Sequence, residues 1–326
     1  MRTPFLCLLV ALLPGVSGAG QPAHASASTP VAIVASMRGR VEVSSARGGA
    51  KPAAFGRALQ RGDRVTVGKG GGATLLLADG SVITLAERGS ITLGGATQPV
   101  HATALPSEVF AHVNQFVTAG SRQTGLVTLA DMRSDADASA PLLLSPRNTS
   151  VLDDAPALRW RAVPGASRYR VRVGPAGGSE AWAREVPATA GAEASLDFPA
   201  DAPRLAPGVE YEWEVAALDD KGTLRREGAI VRMLPEDERA SVMQNLARIA
   251  ESAGRETAAT RFLSGSYLSG LGLYDDAARQ FEALVSLSPD SPESHEALGN
   301  VYLKIGASDR AAAEFRQALA LQRQAR

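Results

Sequence analysis

Any chemistry in this chain must come from a short inventory: four histidines, a glycine-rich run, acidic pairs and one cysteine. His24, His101, His112 and His295 show no i,i+4 pair and no acidic ligand set beside them, the spacing that a helical metal site needs. They read as surface or packing histidines, so no metal is expected. Lys69-Gly70-Gly71-Gly72-Ala73-Thr74 has the residue types of a phosphate cradle. It lacks the Gly-x-x-x-x-Gly-Lys-[Ser/Thr] order and runs into a strand pattern instead of a helix N-terminus, so it reads as an inter-strand loop. Asp153-Asp154 and Asp219-Asp220 read as turns and Asp275-Asp276 as a helix start. Cys7 falls in an N-terminal apolar run. No nucleophile, base and acid can be assembled from this set. The expectation is a protein that is not an enzyme and uses no cofactor.

What remains is recognition. From residue 258 onward the chain repeats itself at a period of 34: Gly265 recurs as Gly299, Gly272 as Gly306, Ala277 as Ala311, Phe281 as Phe315 and Leu287 as Leu321. Such a period marks stacked helix–turn–helix units. Gly265 and Gly299 let the second helix approach the first, Ala277 and Ala311 do the same from the other side, and Phe281 and Phe315 fill the seam between units. Leu298, Gly299, Tyr302, Ala311, Phe315 and Ala318 resemble the tetratricopeptide repeat, with copies at 258–291 and 292–325. In the first copy Ser264 and Leu268 depart from the pattern, and Pro289 closes it. The resemblance implies a protein-binding surface on the first helices. The repeat register puts Phe262, Ser266, Glu296, Asn300 and Lys304 there as partner contacts. With two repeats and a last helix left uncovered over 311–320, the end face would stack on a second copy or a partner, or be kept soluble by Arg310, Arg316, Gln317 and Arg323.

The elements that position this surface follow from the rest of the chain. Its 326 residues allow two or three domains. Lys plus Arg equals Asp plus Glu, 34 each, which argues against a nucleic-acid partner. Arg2, the apolar run 5–13 and Ser17-Gly18-Ala19 have the make-up of a signal peptide over 1–19, cleaved as late as 27, or of an uncleaved anchor. The run is shorter than the roughly 20 residues that span a bilayer, and no later segment is apolar enough. A mature chain without cysteine suits a bacterial periplasm or cell surface. Partners would be other proteins of the envelope.

Two β-rich segments precede the repeats. Residues 31–95 carry short strands with Asp79-Gly80 as a hairpin turn, the pattern of a small barrel or sandwich. Arg38-Gly39-Arg40-Val41, Leu59-Gln60-Arg61-Gly62-Asp63 and the run Ala73 to Ser81 resemble the FecR domain, whose relatives in iron-uptake signalling join a periplasmic domain to a cytoplasmic anti-sigma segment. This chain lacks that segment. Residues 96–140 hold an amphipathic helix, 106–119, with Val109, Phe110, Val113, Phe116 and Val117 on one stripe, then a polar linker, 134–140. The helix is read as a partner- or membrane-binding element, as one packed on the preceding module, or as a partly ordered connector. Residues 141–234 alternate in period 2 at Tyr169 to Val173 and Val209 to Val215, as a two-sheet sandwich requires. With Pro156 to Trp160 and Leu205 to Tyr211 they resemble a fibronectin type III domain, and Trp160, Tyr169, Tyr211 and Trp213 would fill its core. Residues 235–326 open with a helix over 236–253 that caps the repeats through Val242, Leu246, Ile249 and Ala253. The expected fold class is therefore multidomain, β plus α, with few contacts crossing the junctions at 134–140 and 234–236.

Overall fold

Apolar runs without a polar alternation shape the first module. The computed structural model describes residues 29–45, 48–94, 104–123 and 142–324. The signal segment, Cys7, His24, His101 and the linker 134–140 lie outside the described residues. β1 (Ala32–Arg38), β4 (Ala58–Leu59), β6 (Gly72–Leu77) and β7 (Val82–Leu85) form one four-stranded sheet in the order β4-β1-β6-β7. A second, β3-β2-β5-β8, comprises β2 (Val41–Ser44), β3 (Ala50–Pro52), β5 (Arg64–Val67) and β8 (Ser90–Thr92). Neither sheet closes into a barrel. Successive side chains of a strand point to opposite faces. Ala32 and Val34 of β1 enter the core between the sheets, with Leu75 of β6, whereas Ile33, Ala35 and Leu76 face the helices. A sheet buried on both faces needs continuous apolar runs, which is why Val31 to Val34 and Leu75 to Leu77 do not alternate. Gly80, at φ +85°, turns the chain between β6 and β7, and Asp79 Oδ1 accepts from the Ser81 amide at 2.9 Å.

The second module is a sandwich. Its five-stranded sheet, β10-β16-β15-β12-β13, is built from β10 (Thr149–Val151), β12 (Arg168–Pro175), β13 (Trp182–Pro187), β15 (Glu210–Leu218) and β16 (Thr223–Met233). The three-stranded sheet, β14-β11-β9, comprises β9 (Leu143–Ser145), β11 (Leu158–Arg161) and β14 (Glu193–Leu196). Trp160, Tyr169, Tyr211 and Trp213 are all buried in the core between them, with Val171, Val173 and Val215. Three of their polar ends are used: Trp213 Nε1 donates to the Pro146 carbonyl at 2.7 Å, and Tyr169 Oη and Tyr211 Oη accept from the Val163 and Ala206 amides at 2.9 and 3.1 Å; Trp160 Nε1 has no partner among the described residues.

Six helices complete the described chain: α1 (Ser107–Gln123), α2 (Glu236–Ala253), α3 (Ala258–Gly270), α4 (Tyr274–Leu287), α5 (Pro292–Lys304) and α6 (Ser308–Gln324). Thr257 and Ser291 cap α3 and α5 by accepting the Thr260 and Ser294 amides. Gly272 and Gly306, both at positive φ, turn each first helix into its second. A Cβ on Gly265 would stand 2.8 Å from the Phe281 ring, and one on Gly299 2.8 Å from the Phe315 ring. Each phenylalanine thus closes the hairpin of its own unit, not only the seam to the next. α2 covers α3 through Val242 and Ile249, both buried, with Leu246 and Ala253 at the margin. None of the described helices is long and apolar enough to cross a membrane.

The junctions differ from the expectation of few crossing contacts. One core runs from Ile33, Leu76 and Val82 of the first module through Val109 and Val113 of α1 to Phe262, Phe281 and Val301 of the repeats. The sandwich docks on the two inter-helix turns. The Arg147 amide donates to Asp275 Oδ2 at 2.9 Å, its guanidinium donates to the Ile305 carbonyl at 2.7 Å, and it pairs with Glu227 at 3.0 Å. The Ser150 amide donates to the Gly272 carbonyl at 3.1 Å, and Thr149 Oγ1 accepts from the Tyr274 amide at 2.8 Å. Arg310 meets Glu193 at 2.5 Å, and Arg161 pairs with Asp309. Short helical hairpins bury one face only against neighbours; here the β modules are neighbours too.

Candidate protein-binding groove

The first helices of the two units, α3 and α5, carry the five residues marked as partner contacts. Phe262 and Ser266 on α3 and Asn300 on α5 are buried, Glu296 is half-buried, and Lys304 at the end of α5 is exposed. Ser266 and Asn300 stand 34 residues apart, the same place in each unit. Glu296 accepts from Gln322 Nε2 of α6 at 2.7 Å, and burial raises its pKa above the usual carboxylate range. Of the five, only Lys304 is exposed.

Phe262 meets Phe55 of the first module, ring centroids 6.0 Å apart, and α1 lies against both α3 and α5. Phe116 stacks on Phe281 with ring centroids 5.1 Å apart, and Phe281 in turn meets Phe262 edge-on at 6.4 Å. His112 sets its ring edge against Tyr267 at 5.7 Å and passes so close to α3 that a Cβ on Gly270 would meet its Nδ1 at 2.5 Å. Glycine there is what lets α1 lie down. The helix start is clamped: Asn245 of α2 donates to both Glu108 of α1 and Tyr267 Oη of α3, the latter at 2.8 Å. Burial raises the Tyr267 pKa. The loop before α1 is fixed as well, its Leu105 amide donating to the Gly80 carbonyl at 2.8 Å. The amphipathic helix was legible in the sequence. Its seat on the repeats was not, and the cue to it, Gly270 in place of a side chain on a groove-facing position, is visible only with both elements in hand.

Several other residues of the opening inventory make structural contacts. His295 directs Nδ1 to Glu314 at 2.7 Å and Nε2 to the Pro289 carbonyl at 3.0 Å, tying α5 to α6 and to the preceding loop. In the glycine-rich loop the Gly70 amide is taken by Glu87 at 2.8 Å, a carboxylate where a phosphate would need to be. Asp153 and Asp219 accept amides of their own turns. Asp275 is buried at the sandwich junction and its pKa is pushed up to about 7 by desolvation, against the Arg147 amide and Arg279, which favour the ionised form. Among the described residues no three His, Cys, Asp or Glu side chains gather as a metal site would require.

Residues 262–326 match the tetratricopeptide repeat family. That family is a protein-interaction scaffold, generally non-enzymatic. No curated protein matches the chain. Among solved structures, MamA MSR-1 C2 is 28% identical over 26% of this chain and 47% of its own, with a TM-score of 0.24. A second structure of MamA is 21% identical over 28% of this chain and 52% of its own, at a TM-score of 0.24. A cell surface anchoring domain is 20% identical over 20% of this chain and 87% of its own, at 0.19. The chain thus spans about half the length of the MamA structures it matches.

Proposed function

We propose that this chain is a non-enzymatic interaction scaffold of the bacterial periplasm or cell surface, binding a protein partner through its helical repeats. The observation that carries the reading is the tetratricopeptide match over residues 262–326, together with the first helices α3 and α5, against which helix α1 packs. Export rests on Arg2, the apolar run 5–13 and the small residues 17–19. The β segments, read by their motifs as FecR-like over 31–95 and fibronectin type III-like over 141–234, hold the repeats from two sides. The exposed side chains of α6 include Arg316, Gln317 and Arg323, so the partner role is given to the first helices and not to α6.

An alternative function is FecR-like envelope signalling, in which the first module senses a partner. The shared core of β1, α1 and α3 favours it, because a ligand on either module would be felt by the other. In-cell crosslinking followed by fractionation tests both. The scaffold reading expects a mature chain lacking its first 19 to 27 residues, crosslinked through the repeats; a Gly299→Leu chain should lose that partner. A full-length cytoplasmic chain, or a partner kept by a chain ending at Leu234, would overturn it. Crosslinks confined to 31–95 would favour signalling.

A further inference from the structure

Helix α1 sits where a ligand would sit. It turns Val109, Val113 and Phe116 into the shared core and crosses the first helices of both repeats. The fit is apolar but incomplete. His112 Nδ1 and Asn114 Oδ1 on α1, and Ser266 Oγ and Asn300 Oδ1 on the repeats, are buried without a hydrogen-bond partner among the described residues. Ser266 is 0% and Asn300 7% exposed. Buried polar groups in folded proteins are almost always paired, and each one left unpaired gives up its bonds to water for nothing. These atoms lie on α1 and on the first helices it packs against, and each offers a hydrogen bond that another occupant could make. The chain on either side of α1 joins it to the first module and the sandwich, so a displaced α1 stays close and competes.

We propose that α1 is a resident ligand of the repeat groove, displaced when the groove takes an amphipathic helix of a partner protein. That helix would share the apolar spacing of α1 and bring hydrogen-bonding side chains to Ser266 and Asn300. The proposal rests on the repeats being the partner-binding element. Recognition of this kind lays i, i+4 and i+7 anchors into an apolar groove, and Val109, Val113 and Phe116 have that spacing.

The test uses the full chain and a labelled peptide of residues 104–123 as the probe. Val113 is 0% exposed, so Val113→Asp unseats α1 without touching the groove. The Val113→Asp chain should bind the peptide. Wild type should bind it about 100- to 1,000-fold more weakly, the factor by which a tethered segment at about millimolar effective concentration outcompetes a peptide of about 1–10 μM affinity. A peptide carrying the same substitution should bind neither. A Val113→Asp chain that keeps its helical ellipticity and ignores the peptide overturns the proposal. So does one that loses its helices and does not regain them with peptide, for α1 is then a core helix. A second variant separates this idea from the reading beneath it. Cβ atoms at 112 and 270 lie 2.8 Å apart, close enough for His112→Cys with Gly270→Cys to form a disulfide, which spans about 3.5–4.5 Å, after a small shift of α1. Cys7 is the only native cysteine. Oxidation should block capture of the repeat-bound partner and reduction restore it. Equal capture by the locked chain overturns the displacement while leaving the repeats as the binding element.

Discussion

Single residues set how closely the helices approach. Gly299 has the Phe315 ring where its Cβ would go, 2.8 Å to Cε1 and 3.0 Å to Cζ. Gly299→Leu must push α6 off α5, an overpacking that costs about 1–3 kcal/mol. Denaturant unfolding followed at 222 nm should show the loss, with the sandwich fold retained. Asp275 is the other residue with a measurable signature. Its pKa in the folded chain is raised to about 7 from an ordinary value of 3.8. Between those values the native chain keeps a proton that the unfolded chain has released. Stability therefore falls as pH rises from about 4 to about 7 and levels off above that. Asp275→Asn can still accept the Arg147 amide but carries no charge. It should be more stable than wild type at pH 8, and its stability should vary less between pH 5 and 8. A variant less stable than wild type at pH 8 would show that the ionised form is favoured in place.

At the scale of elements, α1 is held by polar clamps at its start and by apolar packing along its length. Asn245 is 4% exposed and is the donor to both Glu108 and Tyr267. Asn245→Ala removes both bonds. Glu108 is exposed and can turn to water, but Tyr267 Oη is left buried. The expected loss is about 1–3 kcal/mol, with faster hydrogen exchange in the amides of α1 and little change in β15. Element identity was largely legible in the sequence, because it is written in local period: Val109 to Val117 at helical spacing, Tyr169 to Val173 at spacing two, and the repeat glycines at 34. Placement was not. Phe262, Ser266 and Asn300 read as open contacts because the register of a repeat fixes which face they share, not what lies across it. The contact of Phe116 with Phe281 joins residues far apart in the chain, and no short-range pattern records it. The strand run of Leu75 and Leu76 did carry a signal of burial on both faces, though it left open what the second cover would be.

For the whole molecule the question is whether three sequence modules unfold as three units or one. The polar linker pointed to separate units, whereas the continuous core through α1 and the hydrogen bonds of Arg147, Thr149 and Ser150 to the repeat turns point to one. Two probes can tell them apart. All three tryptophans, Trp160, Trp182 and Trp213, lie in the sandwich, so fluorescence follows that module alone. Ellipticity at 222 nm follows mainly the six helices. Coincident transitions are the mark of one cooperative unit, and wild type should show them. Arg147 is the strongest candidate for the coupling: its guanidinium spans from Glu227 of β16 to the Ile305 carbonyl at the end of α5. Arg147→Ala leaves that carbonyl and carboxylate to find other partners and takes nothing from either core. The helical transition should then move to lower denaturant while the fluorescence transition stays near its wild-type midpoint. Proteolysis gives the same answer by a different route. A cut within residues 124–141 of wild type should leave two fragments that elute together, whereas the cut Arg147→Ala chain should separate more readily on dilution. Transitions that are already apart in wild type would mean that the junctions are contacts between independent domains, and Arg147 would then couple nothing.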